Sequence, residues 1–272
     1  MATYYISPTG DNADDGSEAT PWETMAYAYS NSTTGDTIHC LAGTYTMVSQ
    51  NFATSRNVTG ADANTTIFDG GGAGATWTTA PLMNISNIHF TNIADSMILY
   101  ISHKILNLTN CIVSDFSSAG YLSNPIRQNG SAEVNILGCL FYNIITTYST
   151  VSAGYGSVIN GNYGICSITN STFYLDYNPA TPNYAIPFGS AAYATTYTIK
   201  NNIFMNAGNT SILKSSSSII SEDSSNNCVY GYSSVPVMDD TVAEDPKMID
   251  PANANFNLAP DSPCIDTGVL IW

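Results

Sequence analysis

The chain has 272 residues, 44% of them hydrophobic and 11% aromatic, which is enough to bury a core and too much for a disordered segment. Only 10% are charged, against the usual quarter or so, which argues against a helical bundle, whose exposed faces carry Lys, Arg and Glu. The net charge of −15, from 21 acidic and 6 basic residues, argues against nucleic acid as a partner, because phosphates are held by Lys and Arg; it suits a neutral glycan, a Ca²⁺-loaded surface or simple solubility.

Met1-Ala2-Thr3-Tyr4-Tyr5 reads as the start of a strand with no signal peptide ahead of it. No stretch of about 20 apolar residues is present, so no membrane insertion is expected. The loop that follows carries Asp11, Asp14 and Asp15, oxygen ligands at the close spacing a hard cation uses, and is a candidate Ca²⁺ site. Thr20-Pro21-Trp22-Glu23 reads as a capping box with Pro at the first helical position. Trp22, Met25, Ala26 and Tyr29 then share one helical face. The expectation is a short N-terminal helix lying across the first coil of a solenoid, whose open strand edges need covering.

From Thr65 onward a short pattern recurs, a small polar residue followed three positions later by an aromatic or Val. It runs Thr65 to Phe68, Asn87 to Phe90, Asn110 to Val113, Gly138 to Phe141, Asn170 to Phe173, Asn201 to Phe204 and Asn227 to Tyr230. The steps between anchors are 22, 23, 28, 32, 31 and 26 residues. Helical repeats hold a tight period because two packed helices fix the unit length. A β-solenoid keeps short strands of fixed length and lets one turn balloon, so an irregular period of this kind predicts an all-β solenoid of about seven or more coils. Asn tolerates the left-handed backbone of a sharp bend, and stacked Asn side chains can bond to one another as a ladder. A second polar position, Asn92, Asp115, Asn143 and Asn206, follows the aromatic or Val by two in four of the seven repeats. The chain then divides into an N-terminal cap over 1–35, coils over 36–235 and a C-terminal cap over 236–272, within a single domain.

Six cysteines (Cys40, Cys111, Cys139, Cys166, Cys228 and Cys264) form no CxxC pair. Cys111, Cys139 and Cys228 share the position after the anchor, where parallel Cβ vectors suit buried thiols better than disulfides. The pattern leaves open whether that position or the next faces inward. The longest loops fall between about Phe116 and Thr196, where function concentrates on a rigid scaffold. Tyr142, Tyr155, Tyr163 and Tyr174 lie there and are the candidate carbohydrate-stacking residues.

Two segments carry a resemblance. The N-terminal run Tyr4-Tyr5-Ile6-Ser7-Pro8-Thr9-Gly10-Asp11, with Asp15-Gly16-Ser17, Pro21-Trp22, Gly35-Asp36-Thr37-Ile38 and Gly43-Thr44-Tyr45, resembles the start of secreted pectate-lyase-like proteins. The tail, with Asp245-Pro246, Asp250-Pro251, Asn255-Phe256, Asp261-Ser262-Pro263 and Asp266-Thr267-Gly268, is similar to their C-terminal segment. The resemblance implies a right-handed parallel β-helix, an extracellular, cell-surface or virion-borne setting, a polysaccharide as the partner class, and a monomer or homotrimer. It spans lyases, glycoside hydrolases, phage tail spikes and adhesive surface proteins, so cleavage and mere binding both stay open. Elimination would use a basic residue, with Arg127 the candidate, beside Ca²⁺ held by Asp residues. Hydrolysis would use two carboxylates, with Asp95, Asp115, Glu133 and Asp176, the acids of the central coils, as the candidates and no spacing that singles out a pair.

Overall fold

In the computed structural model, described over residues 1–96, 98–118, 124–146, 158–175, 195–211, 219–234 and 237–268, parallel strands stack into a β-helix with three faces. The first face holds β1 (Thr3–Ile6), β2 (Thr37–Cys40), β5 (Arg56–Gly60), β8 (Leu82–Ser86) and β11 (Ile105–Thr109). It continues through the second halves of β13 (Ile126–Leu137) and β15 (Ile159–Thr169) to β17 (Thr195–Lys200) and β19 (Ile219–Ile220). The second face holds β3 (Gly43–Thr46), β6 (Thr66–Ala73), β9 (His89–Ala94), β12 (Ile112–Ser118), β14 (Leu140–Thr146), β16 (Thr172–Leu175), β18 (Ile203–Ser211) and β20 (Cys228–Ser234). The third is narrower: β4 (Gln50–Asn51), β7 (Trp77–Thr78), β10 (Leu99–Ser102) and the first halves of β13 and β15. The all-β parallel helix anticipated from the irregular repeat is the fold, and β1, inside the expected cap segment, is already its first strand.

The recurrent polar residue is the hinge between the first two faces. Asn87, Asn110, Gly138, Asn170, Asn201 and Asn226 all have φ between 50° and 64°, the left-handed region that Asn and Gly tolerate best. A second row, Asn92, Asp115 and Asn143, is left-handed as well and bends the second face part-way along. After each first bend the chain alternates in, out, in. Ile88, Cys111, Cys139, Ser171 and Asn202 point inward, and so do Phe90, Val113, Phe141, Phe173 and Phe204 two residues on. The rings of Phe141, Phe173 and Phe204 stack at 4.5 and 5.1 Å, close to the strand spacing of about 4.8 Å.

A residue just past a left-handed bend has an inward N–H with no strand partner, and here the next coil supplies an acceptor. Cys111 N–H donates to Cys139 Sγ (3.4 Å), Cys139 N–H to Ser171 Oγ (3.1 Å), Ser171 N–H to Asn202 Oδ1 (2.8 Å) and Asn202 N–H to Asn227 Oδ1 (3.0 Å). The expected amide ladder therefore exists one residue later than the anchors and includes sulfur and hydroxyl steps. A second ladder runs outside, on the first face, through Asn57, Asn84, Asn107 and Asn135, linked at 2.7, 2.7 and 2.9 Å.

The last anchor differs from the sequence reading by one. Asn226 makes the bend, so Asn227 points inward and Cys228 outward, in register with Ile203. Cys228 is buried but accordingly not one of the stacked free thiols; it is disulfide-bonded to Cys264, 36 residues on. Cys40, Cys111, Cys139 and Cys166 are buried free thiols.

The helix α1 (Met25–Asn31) also starts later than the capping-box reading. The Trp22 N–H donates to Tyr5 O, and Trp22 O accepts from Ser7 N–H. Pairing with β1 thus uses the backbone that a helix from Pro21 would need. Thr24 is the cap, its hydroxyl accepting from Tyr27 N–H, and Met25 and Ala28 are the buried face, not Ala26. The other end is held by Arg56, a buried guanidinium 4.8 Å from the Tyr29 ring centroid, which donates to Ser32 Oγ, Ser32 O, Tyr29 O, Thr54 Oγ1 and Ser55 O. Among the described residues no helix is long and apolar enough to cross a membrane.

Candidate functional site

The second face carries a polar cluster at its bend. Asp115, exposed and left-handed, follows Ser114, which is fully buried. Its Oδ2 accepts from Ser114 Oγ (2.8 Å) and Thr91 Oγ1 (3.0 Å), and its Oδ1 accepts from Asn143 Nδ2. Ser114 has one proton and gives it to Asp115, so the 2.8 Å contact between His89 Nε2 and Ser114 Oγ is donated by the imidazole. That contact places a proton on His89 Nε2. Burial pushes its pKa below the ordinary value, while the Asp115 charge pulls the other way. One coil back, Asn92 Nδ2 donates to Asp69 Oδ1 at 2.8 Å, which extends the polar strip.

The C-terminal segment closes over this face. β21 (Met248–Asp250) and β22 (Asn255–Leu258) form an antiparallel hairpin around a 3₁₀ turn at Pro251–Asn253. The hairpin is anchored near β20 by the Cys228–Cys264 disulfide, and Asn226 Nδ2 donates to Thr267 O at 2.9 Å. Ser262 Oγ donates to Pro246 O, and Lys247 pairs with Asp261 at 2.7 Å. From there it reaches back along the face until Phe256 packs on Tyr142 (5.0 Å) and Tyr174 (5.3 Å), which are themselves register partners. Asp115, Tyr142, Asn143 and Tyr174 form one wall of a cavity of about 480 Å³, and Pro251–Ala254 form the other. A single carboxylate, two amides (Asn143 and Asn253) and two phenol rings around such a space can bond sugar hydroxyls and pack on a sugar's C–H face.

No protein-family model and no curated protein matches the chain. Among solved structures it is similar to a pectate lyase (TM-score 0.43, 11% identity, 99% of this chain and 92% of that one). It is also similar to a pectin methylesterase from carrot (0.43, 10%, 94% and 97%) and to a GH136 lacto-N-biosidase from Eubacterium ramulus (0.39, 10%, 90% and 67%). These likenesses are distant, and the fold rests on the strand pairing described above.

The residues singled out from sequence are spread over the faces. Asp115, Tyr142 and Tyr174 come together in the cavity. Asp95 is exposed just after β9, at the turn toward the third face. Arg127 lies on the third face, in register with Tyr100 and Asn160. Glu133 lies on the first face, where it accepts from Asn135 Nδ2 at 2.9 Å. Arg127 and Glu133 therefore share no face with Asp115, because the bends between them turn the chain. Tyr155 and Asp176 fall outside the described residues; Tyr163 lies within β15, but its side chain is outside them.

The three carboxylates expected to hold Ca²⁺ at the N-terminal loop do not gather into one ligand group. Asp15 accepts from Thr20 Oγ1 and Ser17 N–H, and these bonds hold its pKa down to about 2. Asp11 accepts from Ala13 N–H, and Asp14 uses its backbone carbonyl to cap the Trp22 indole. No three metal-ligating side chains gather among the described residues. Sequence reasoning passed over His89, Thr91, Ser114 and the hairpin tip. Once the inward parity is known, His89 and Thr91 are outward by alternation; nothing local announces that Phe256 returns to Tyr142.

Proposed function

We propose that this chain binds a neutral glycan in the cavity between the second face and the C-terminal hairpin. The observation that carries the reading is the Asp115 carboxylate, oriented by Ser114, Thr91 and Asn143, standing in one cavity with the rings of Tyr142 and Tyr174. Such a carboxylate accepts from sugar hydroxyls, and the phenol rings offer apolar area at low entropy cost. Asp115 is the sole charged side chain among the described lining residues, and with the net charge of −15 it repels a uronate or a phosphate. The same lining holds one carboxylate, where glycoside hydrolysis uses two, and no basic side chain for elimination, so the reading is of binding. The Cys228–Cys264 disulfide supports an oxidising, extracytosolic setting.

The test is a panel of neutral and uronate-containing oligosaccharides titrated against the protein and against Asp115→Asn and Tyr142→Ala. Neutral glycans should bind, with each substitution weakening affinity roughly ten-fold or more. Binding of uronates alone, or affinities untouched by both substitutions, would sink the proposal.

A further inference from the structure

The hairpin does more than wall the cavity. Its base is fixed at the level of β20, and Phe256 sits on β14 and β16. It therefore lies along the second face over the coils on the C-terminal side of Asp115. No described hydrogen bond joins Met248–Leu258 to that face; the seat is made by the Phe256 ring and the turn residues around the cavity. In the other direction the face runs on as a polar strip past Asp115. Thr91 is half-buried, Asn92 is exposed, and Asp69, bonded to Asn92, is half-buried on the coil beyond. No described segment crosses that strip.

Among the described residues the strip is open at one end and stopped at the other, and a site of that shape selects by position in the polymer. An extended sugar chain lying along the axis meets successive coils every 4.8 Å or so, from Asp69 through Thr91 to Asp115, and then meets Tyr142 backed by Phe256. It can advance no further without displacing the hairpin. Resting on the glycan-binding reading above, we infer that the site takes the terminal units of a neutral glycan chain and excludes chain interiors, with Phe256 and the Pro251–Ala254 turn as the specificity-determining stop. The terminal ring packs against Tyr142 and Tyr174 while Asp115 and Asn143 hold its hydroxyls. The following units lie over Thr91, Asn92 and Asp69.

The experiment compares cellohexaose, xylohexaose and mannohexaose with soluble polymers of the same linkages, titrated calorimetrically and followed by light scattering for the number of proteins per polymer chain. The hexaose that binds should do so about as tightly as its polymer per chain end. The polymer should carry one protein per accessible end whatever its length. Phe256→Ala, and separately replacement of 251–254 by a Gly-Ser turn with Cys264 retained, should let polymer load at many internal sites, raising stoichiometry several-fold. Thermal unfolding of both variants checks that the β-helix persists, and the milder Phe256→Leu keeps the test alive if either fails to fold. Wild-type protein that already loads along the polymer overturns the terminal-unit inference and leaves glycan binding standing. Wild-type protein that binds none of the neutral probes overturns both.

Discussion

The side-chain oxygen of Asn202 accepts the backbone N–H of Ser171, one coil away, at 2.8 Å, and both residues are buried. The same side chain donates to Ile168 O and Asn227 Oδ1, so each of its polar atoms is used. Asn202→Ala would leave the Ser171 N–H and the Ile168 carbonyl buried with fewer partners and open a small void. The expected cost is about 3 kcal/mol. On the outer ladder, water replaces what Asn107 supplies to its half-exposed neighbours, and Asn107→Ala should cost less than about 1 kcal/mol. Denaturant unfolding of the two variants side by side checks this; equal losses would mean that the inner relay has no special weight.

That contrast also explains what could be read from the chain. Left-handed bends admit few residue types, so Asn87, Asn110, Gly138, Asn170 and Asn201 print the coil period into the sequence. Facing was harder, because the outward Ile112, Leu140 and Ile203 are as apolar as the inward Ile88. Packed between neighbouring coils they are half-covered, and aliphatic side chains are no penalty there. The Asn226-Asn227 pair offered two equally good anchors, and only the three-dimensional register separates them. The cavity was half visible: Asp115, Tyr142 and Tyr174 lie on regular coils, whereas its other wall comes from the far end of the chain through non-local contacts that no spacing rule encodes.

Arg56 gives a second prediction. It is an inward residue of β5, buried without a carboxylate partner, and its charge is met by the last carbonyls of α1 and by hydroxyls. Cations are favoured at a helix C-terminus, and the planar fork reaches five acceptors that an ammonium cannot match. Arg56→Lys should cost about 1–2 kcal/mol and Arg56→Met about 3 kcal/mol. Hydrogen exchange over Met25–Asn31 should accelerate far more than exchange over β11 to β14. Uniform acceleration would show that Arg56 supports the whole coil stack and not the cap.

Reduction of Cys228–Cys264 gives a third. Cross-links that close loops of this length are worth about 3–4 kcal/mol in the chain-entropy account, and here the gain falls on the segment that carries Phe256. Mild reductant should loosen residues 246–268 before the coils, with a change in near-ultraviolet circular dichroism as Phe256 leaves Tyr142 and Tyr174. Glycan affinity should fall in parallel, and Cys228→Ser with Cys264→Ser should reproduce both effects. Unchanged spectra after verified reduction would mean that the remaining contacts seat the hairpin without the disulfide.

His89 sets the expected pH dependence. Burial lowers its pKa from the ordinary 6.5, against the pull of Asp115, so the unfolded chain takes up a proton at that position before the folded one does. Across the interval between the two values the unfolded state binds more protons, and stability rises with pH. The contribution is complete above about pH 6.5 and is lost progressively as pH falls below it. The lowered carboxylates Asp15, Asp36 and Asp261 act in a separate window, below their ordinary 3.8. His89→Gln can keep a donor toward Ser114 Oγ and removes the titration, so its unfolding midpoint should change less between pH 7 and 5 than the wild type's. Denaturant midpoints at half-unit pH intervals measure the slope directly. A variant as steep as the wild type in that window would assign the pH dependence to another group and leave His89 with a positioning role beside Ser114 and Asp115.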